Sequence, residues 1–113
     1  MLRTNHLVIS AIAAIVTSQA NAECLSPPAV AVPNGATATT EEMVEAQTNV
    51  KQYMAEMELY LECLDKAEAA LTEPPTDEEK QRHTQLHNKA VDSMEDVATK
   101  FNEQVRVFKK SNP

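Results

Sequence analysis

The sequence has no tryptophan, only four other aromatic residues (two Tyr, two Phe) and one glycine. One glycine cannot build a phosphate-cradling loop, which needs several residues without a Cβ, so nucleotide binding of that kind is excluded. The chain also lacks positive charge. Ten Lys and Arg stand against 17 Asp and Glu, for a net charge of −7. A chain of that sign is repelled by phosphate backbones and anionic lipid surfaces, which disfavours nucleic acid and membrane surfaces as partners. No apolar run approaches the roughly 20 residues of a bilayer-spanning helix. The His-Glu-x-x-His pattern of zinc proteases is absent, and Ser26, Ser93 and Ser111 sit in no nucleophile-elbow context.

What is present begins with a leader. Arg3 supplies a short positive region, Leu7 to Val16 is a ten-residue apolar run, and Ala20-Asn21-Ala22 places small residues at −3 and −1. That is the pattern of a cleaved secretory signal peptide over residues 1–22, with Glu23 as the first mature residue. An uncleaved anchor is the alternative. A lipid on Cys24 needs a small residue before it, and Glu23 stands there instead. Losing Arg3 with the leader leaves nine basic against 17 acidic residues, a mature net charge of −8 on 91 residues. The expected location is periplasmic or secreted, with no membrane anchor after cleavage.

The mature chain divides at residue 38. Residues 23–38 carry Pro27, Pro28 and Pro33, which bias the backbone to extended conformations. Val32-Pro33-Asn34-Gly35 reads as a β-turn with Pro second and Gly fourth. Residues 39–113 read as a helical hairpin, with helices over about 39–72 and 76–110. Thr39 and Glu42 form a Thr-x-x-Glu capping box, and so do Thr76 and Glu79. In the first helix Met43, Val50, Met57, Leu64 and Leu71 recur every seven residues. Ala46, Tyr53, Tyr60 and Ala67 recur three positions later. This is an a/d seam over four heptads. Glu73-Pro74-Pro75 breaks it. The second helix carries Leu86, Ala90, Met94, Val97, Phe101, Val105 and Phe108 at spacings of three and four, with Asp77, Glu78 and Glu79 at its start and Arg106, Lys109 and Lys110 at its end, as the helix dipole favours. The fold class is therefore all-α: an antiparallel two-helix hairpin, coiled-coil-like, with an extended N-terminal arm.

Cys24 and Cys63 are the only cysteines. In an exported chain they most simply form a disulfide, one that staples the arm to the first helix. Fifteen extended residues from Cys24 to Thr39 reach up to about 50 Å, enough to run back to Cys63, about 36 Å along the helix. A redox-active pair would favour Cys-x-x-Cys spacing, and an intermolecular bridge is the other alternative.

The stretch PPAVAVPNGATATTEEMVEAQTNVKQYMAEMELYLECLD carries a resemblance. It is similar to a family of small exported proteins of Gram-negative bacteria whose mature chains begin near Cys-x-x-Pro-Pro, pass through Pro-[Asp/Asn]-Gly-Ala-Thr-Ala-Thr into a helix and reach a second cysteine in Tyr-x-x-Cys-Leu. Here these positions are Cys24, Pro27, Pro28, Pro33 to Thr39, Tyr60, Cys63 and Leu64. The resemblance covers the first half of the mature chain. It implies an exported compartment and a helical fold, and no active site.

Three groups invite a chemical reading. Glu79, His83 and His87 are spaced by four on the second helix and offer a metal-handling face, the alternative function, or else a polar seam near the turn. Met43, Met54, Met57 and Met94 suggest thioether ligation, but three of them fall on the seams, where methionine is a core residue. Carboxylate pairs such as Glu41 with Glu45 and Glu58 with Glu62 fall on a solvated helix face. No catalytic, cofactor or metal residue is assigned, and the expected function is a non-enzymatic interaction or structural protein. Its expected docking or self-association stripe is Met54, Leu61, Val91, Ala98 and Val105, on the flank of the seam that the arm leaves open.

Overall fold

The computed structural model describes residues 23–113. The expected leader, residues 1–22, lies outside them. Two helices follow the arm: α1, Thr40–Ala69, and α2, Asp77–Ser111. At 1.5 Å per residue they are about 45 and 52 Å long. They pack against each other as an antiparallel hairpin joined by residues 70–76. Among the described residues no helix is long and apolar enough to cross a membrane.

Both helix starts follow from their caps. Thr39 Oγ1 accepts the Glu42 amide at 3.2 Å while Glu42 Oε2 accepts the Thr39 amide at 3.1 Å, a complete capping box. Thr76 Oγ1 accepts the Glu79 amide at 3.1 Å, but the Glu79 carboxylate turns to the Thr76 hydroxyl at 3.2 Å, so the second box is half made. α1 ends at Ala69, three residues before the expected 72. Glu73 is driven out of helical conformation by Pro74. The chain tightens ahead of it, with the Ala70 amide on the Lys66 carbonyl and the Leu71 amide on that of Glu68.

The a/d seam of α1 buries Met43, Ala46, Val50, Tyr53, Met57, Tyr60 and Leu64. Met57 is 1 % exposed and lies at the centre of the core. The seam stops at Leu64: Ala67 and Leu71, expected to continue it, are exposed. α2 presents a polar side chain, His83, to this end of the hairpin, with Leu86 reaching the core from one flank. α2 fully buries only Ala90 and Val97. Their seven-residue row extends to His83 and Gln104, and the neighbouring row is His87, Met94, Phe101 and Phe108, all half-buried. Leu86 and Val105 fall on opposite flanks of these rows.

The arm runs antiparallel to α1 along one flank. Leu25 to Pro28 lie beside Glu56, Leu59, Tyr60 and Cys63, and Ala31 to Pro33 lie beside Glu42, Glu45, Ala46 and Asn49. Val30 and Cys24 pack against the core. The arm turns two residues later than expected, over Asn34–Thr37: the Asn34 carbonyl accepts the amides of Thr37 and Ala38, and the Asn34 side chain accepts the Ala36 amide at 3.0 Å. An asparagine that caps its own turn outweighs the Pro-first register.

Candidate functional site

Cys24 and Cys63 are disulfide-bonded, with Cα atoms 5.7 Å apart. The bond fixes the arm's far end at the α1 flank. Its near end is fixed by Gly35. The Gly35 amide donates to Gln104 Oε1 at 2.8 Å, and its Cα faces the α2 backbone so closely that a Cβ would run into the Gln104 carbonyl oxygen and lie 2.9 Å from the Phe108 amide nitrogen. Gly35 is thus required for close approach, and its φ is not positive. The arm therefore touches both helices at the open end of the hairpin and is bonded to α1 at its far end. The sequence hid this contact in plain sight: Gln104 continues the Ala90/Val97 row, and a polar residue there wants a partner.

The histidine row is a polar seam. His83 Nε2 lies 3.0 Å from Asp65 Oδ1 and its Nδ1 lies 3.2 Å from Glu68 Oε2, so one ring bridges the start of α2 to two carboxylates near the end of α1. A ring protonated at both nitrogens donates to both carboxylates. His87 stands beside it with ring centroids 6.3 Å apart. Glu79, the third side chain of the metal-handling alternative, is occupied at the Thr76 cap. Among the described residues no three His, Cys, Asp or Glu side chains are grouped so as to hold a metal ion. The structure thus places Glu79, His83 and His87 on one helix without bringing them to a common centre.

The other candidates are absorbed by packing. Met43 and Met57 are buried in the seam, while Met54 and Met94 are half-buried against the core. The Tyr53 and Tyr60 rings are buried, and among the described residues no buried side-chain N or O atom lacks a partner. Ser93 donates its hydroxyl to the Lys89 carbonyl at 2.9 Å. Glu41, Glu45, Glu58 and Glu62 are exposed. Lys66 pairs with Glu62 at 2.8 Å and Lys100 with Asp96 at 2.9 Å, each one helical turn apart. The hydrogen bond to Asp96, then its charge, hold the Lys100 ammonium above its ordinary pKa.

Two apolar surfaces stand out among the described residues. A groove of about 1020 Å³ opens at the closed end of the hairpin beside the disulfide, walled by Leu59, Leu71, Leu86 and Tyr60 with Lys66 and Arg82 at its margin. Leu59 and Leu71 are 64 % and 43 % exposed. On the flank opposite the arm, Met54 and Leu61 pack against the core and are half-buried, as are Val91, Ala98 and Val105. By heptad register these five occupy the rows next to the seam on that side. Comparison with models of known families, with curated proteins and with solved structures finds no match to this chain.

Proposed function

We propose that the chain is an exported, periplasmic or secreted, non-enzymatic interaction or structural protein whose working surface is the flank opposite the arm. The observation that carries this reading is the row Met54, Leu61, Val91, Ala98 and Val105, half-buried along both helices on the flank the arm does not cover. Apolar rows at a, d and e on both helices belong to helices with two neighbours, whereas a two-stranded coil needs only a and d. The arm occupies one side and leaves the other for a partner. Export rests on the leader-like residues 1–22, on the resemblance to small exported Gram-negative proteins, and on a disulfide, which persists in oxidising compartments.

Two measurements test this. The intact mass of the exported protein should begin at Glu23 and carry no lipid. A mass that includes residues 1–22, or a lipid on Cys24, refutes the processing. A photo-crosslinking residue at Ala98→benzoylphenylalanine should give protein adducts in the exporting cell, while the same residue at the exposed Asp92 should give few. Adducts equal at both positions, or none at 98, refute the surface.

A further inference from the structure

We infer that the occupant of this flank is a second copy of the chain, giving a two-fold four-helix bundle with the two arms on its outer sides; this rests on the surface proposed above.

Three observations select a second copy. First, α2 is short of core: two fully buried residues in 35, against seven in the 30 of α1. A small chain that leaves its second helix half-covered gains most from burying the same rows of an identical helix pair. Second, the flank mixes small and large side chains. Ala98 lies between Val91 and Val105 and lets backbones approach at the centre of the row, while Met54 and Leu61 supply the larger side chains on α1. Third, the like-charge problem is least here. In a chain this acidic, two copies repel, yet the row bordering the stripe on α2 is Asn88, Glu95, Asn102 and Lys109 and that on α1 is Val44, Lys51, Glu58 and Asp65, together carrying only one excess negative charge. The acidic excess lies elsewhere, at Glu41, Glu42 and Glu45 and at Glu73, Asp77, Glu78 and Glu79.

The size of the stripe sets the strength. Val91 to Val105 spans about 21 Å of helix, and two helices are roughly 20 Å wide, so the two copies bury on the order of 800 Å² together. That falls below the roughly 1,200 Å² of stable complexes, so the dimer is weak and forms only at high concentration.

Sedimentation velocity of the disulfide-bonded chain from Glu23 to Pro113, over about 1–500 μM, decides. Wild type should shift from monomer to dimer across that range. Leu61→Glu and Ala98→Glu should each raise the dissociation constant at least about tenfold while keeping helix content, and Leu59→Glu on the arm side should leave it unchanged. If either charged variant loses helix, amide exchange of the wild type replaces it. Added protection over 54–61 and 91–105 at high concentration supports the dimer; none overturns it. A wild type monomeric at 500 μM overturns the second copy. Cross-links from position 98 to another protein would then leave the proposed surface standing, and their absence would remove both. A dimer lost only in Leu59→Glu places association on the arm side and also overturns the inference.

Discussion

Gly35 and Met57 mark two ways in which one side chain decides this structure. At Gly35 the decisive fact is the absence of a side chain, because the arm's elbow lies against α2 backbone that cannot rotate away. Gly35→Ala should therefore destabilise the protein by about 1–3 kcal/mol, the usual cost of forced overpacking. Chemical denaturation checks the magnitude, and loss of amide protection at residue 35 shows that the arm's elbow has lifted. Met57→Ala leaves a cavity in the densest part of the seam and should cost about 2–5 kcal/mol, a larger effect without detaching the arm. Lys100 illustrates the opposite case. Its pKa is raised by Asp96, so whatever the pair contributes is fully present below the lysine's unfolded value of 10.5 and is lost as pH rises through the folded one. The group is exposed. Stability between pH 6 and 9 should therefore be the same in Lys100→Met as in wild type within error, as parallel denaturation curves would report.

The two helices differ in how completely their ends and faces are specified. Thr39→Ala removes the acceptor of the Glu42 amide but keeps the residue-39 amide on Glu42, whereas Thr76→Ala removes both bonds of the Thr76 hydroxyl to Glu79; each should cost about 1 kcal/mol, with no smaller loss at 76, as thermal melts followed by circular dichroism would show. α1 was legible from the sequence because its rows repeat every seven residues without a charged intruder from Met43 to Leu64. What escaped was its end. Ala67 and Leu71 keep the period, but period alone does not say whether the facing helix offers apolar atoms, and His83 with its two carboxylates does not. In α2 the spacing admitted more than one register because Leu86 and Val105 are apolar and off the seam. Gln104 and His83 mark the true row, since each is satisfied by a partner outside its own helix. The histidines were readable as a polar seam or a ligand pair, and the carboxylates that separate these readings, Asp65 and Glu68, lie 18 and 15 positions away on the other helix.

At the scale of the molecule, core is unevenly shared, and stability should follow it. Amides of Val50–Leu64 and Ala90–Val97 should exchange most slowly, with rates rising toward the turn and the C-terminal end of α2. The paired change Cys24→Ser with Cys63→Ser removes a constraint on a 39-residue separation and should lower stability by roughly 3–4 kcal/mol on the chain-entropy estimate, read from denaturation midpoints with and without reductant. The same bond makes residues 24–63 a closed covalent ring, with α2 as its tail. Tension applied between Glu23 and Pro113 crosses the sulfur bridge and bypasses the arm and most of α1. An oxidised molecule held in a force trap should yield only the length of the turn, α2 and the last residues of α1. Reductant should then release a further step of roughly 135 Å, 39 residues at about 3.5 Å each. The bridge that docks an arm is, mechanically, a shunt: it shields the best-packed seam of the protein from any load carried between its ends.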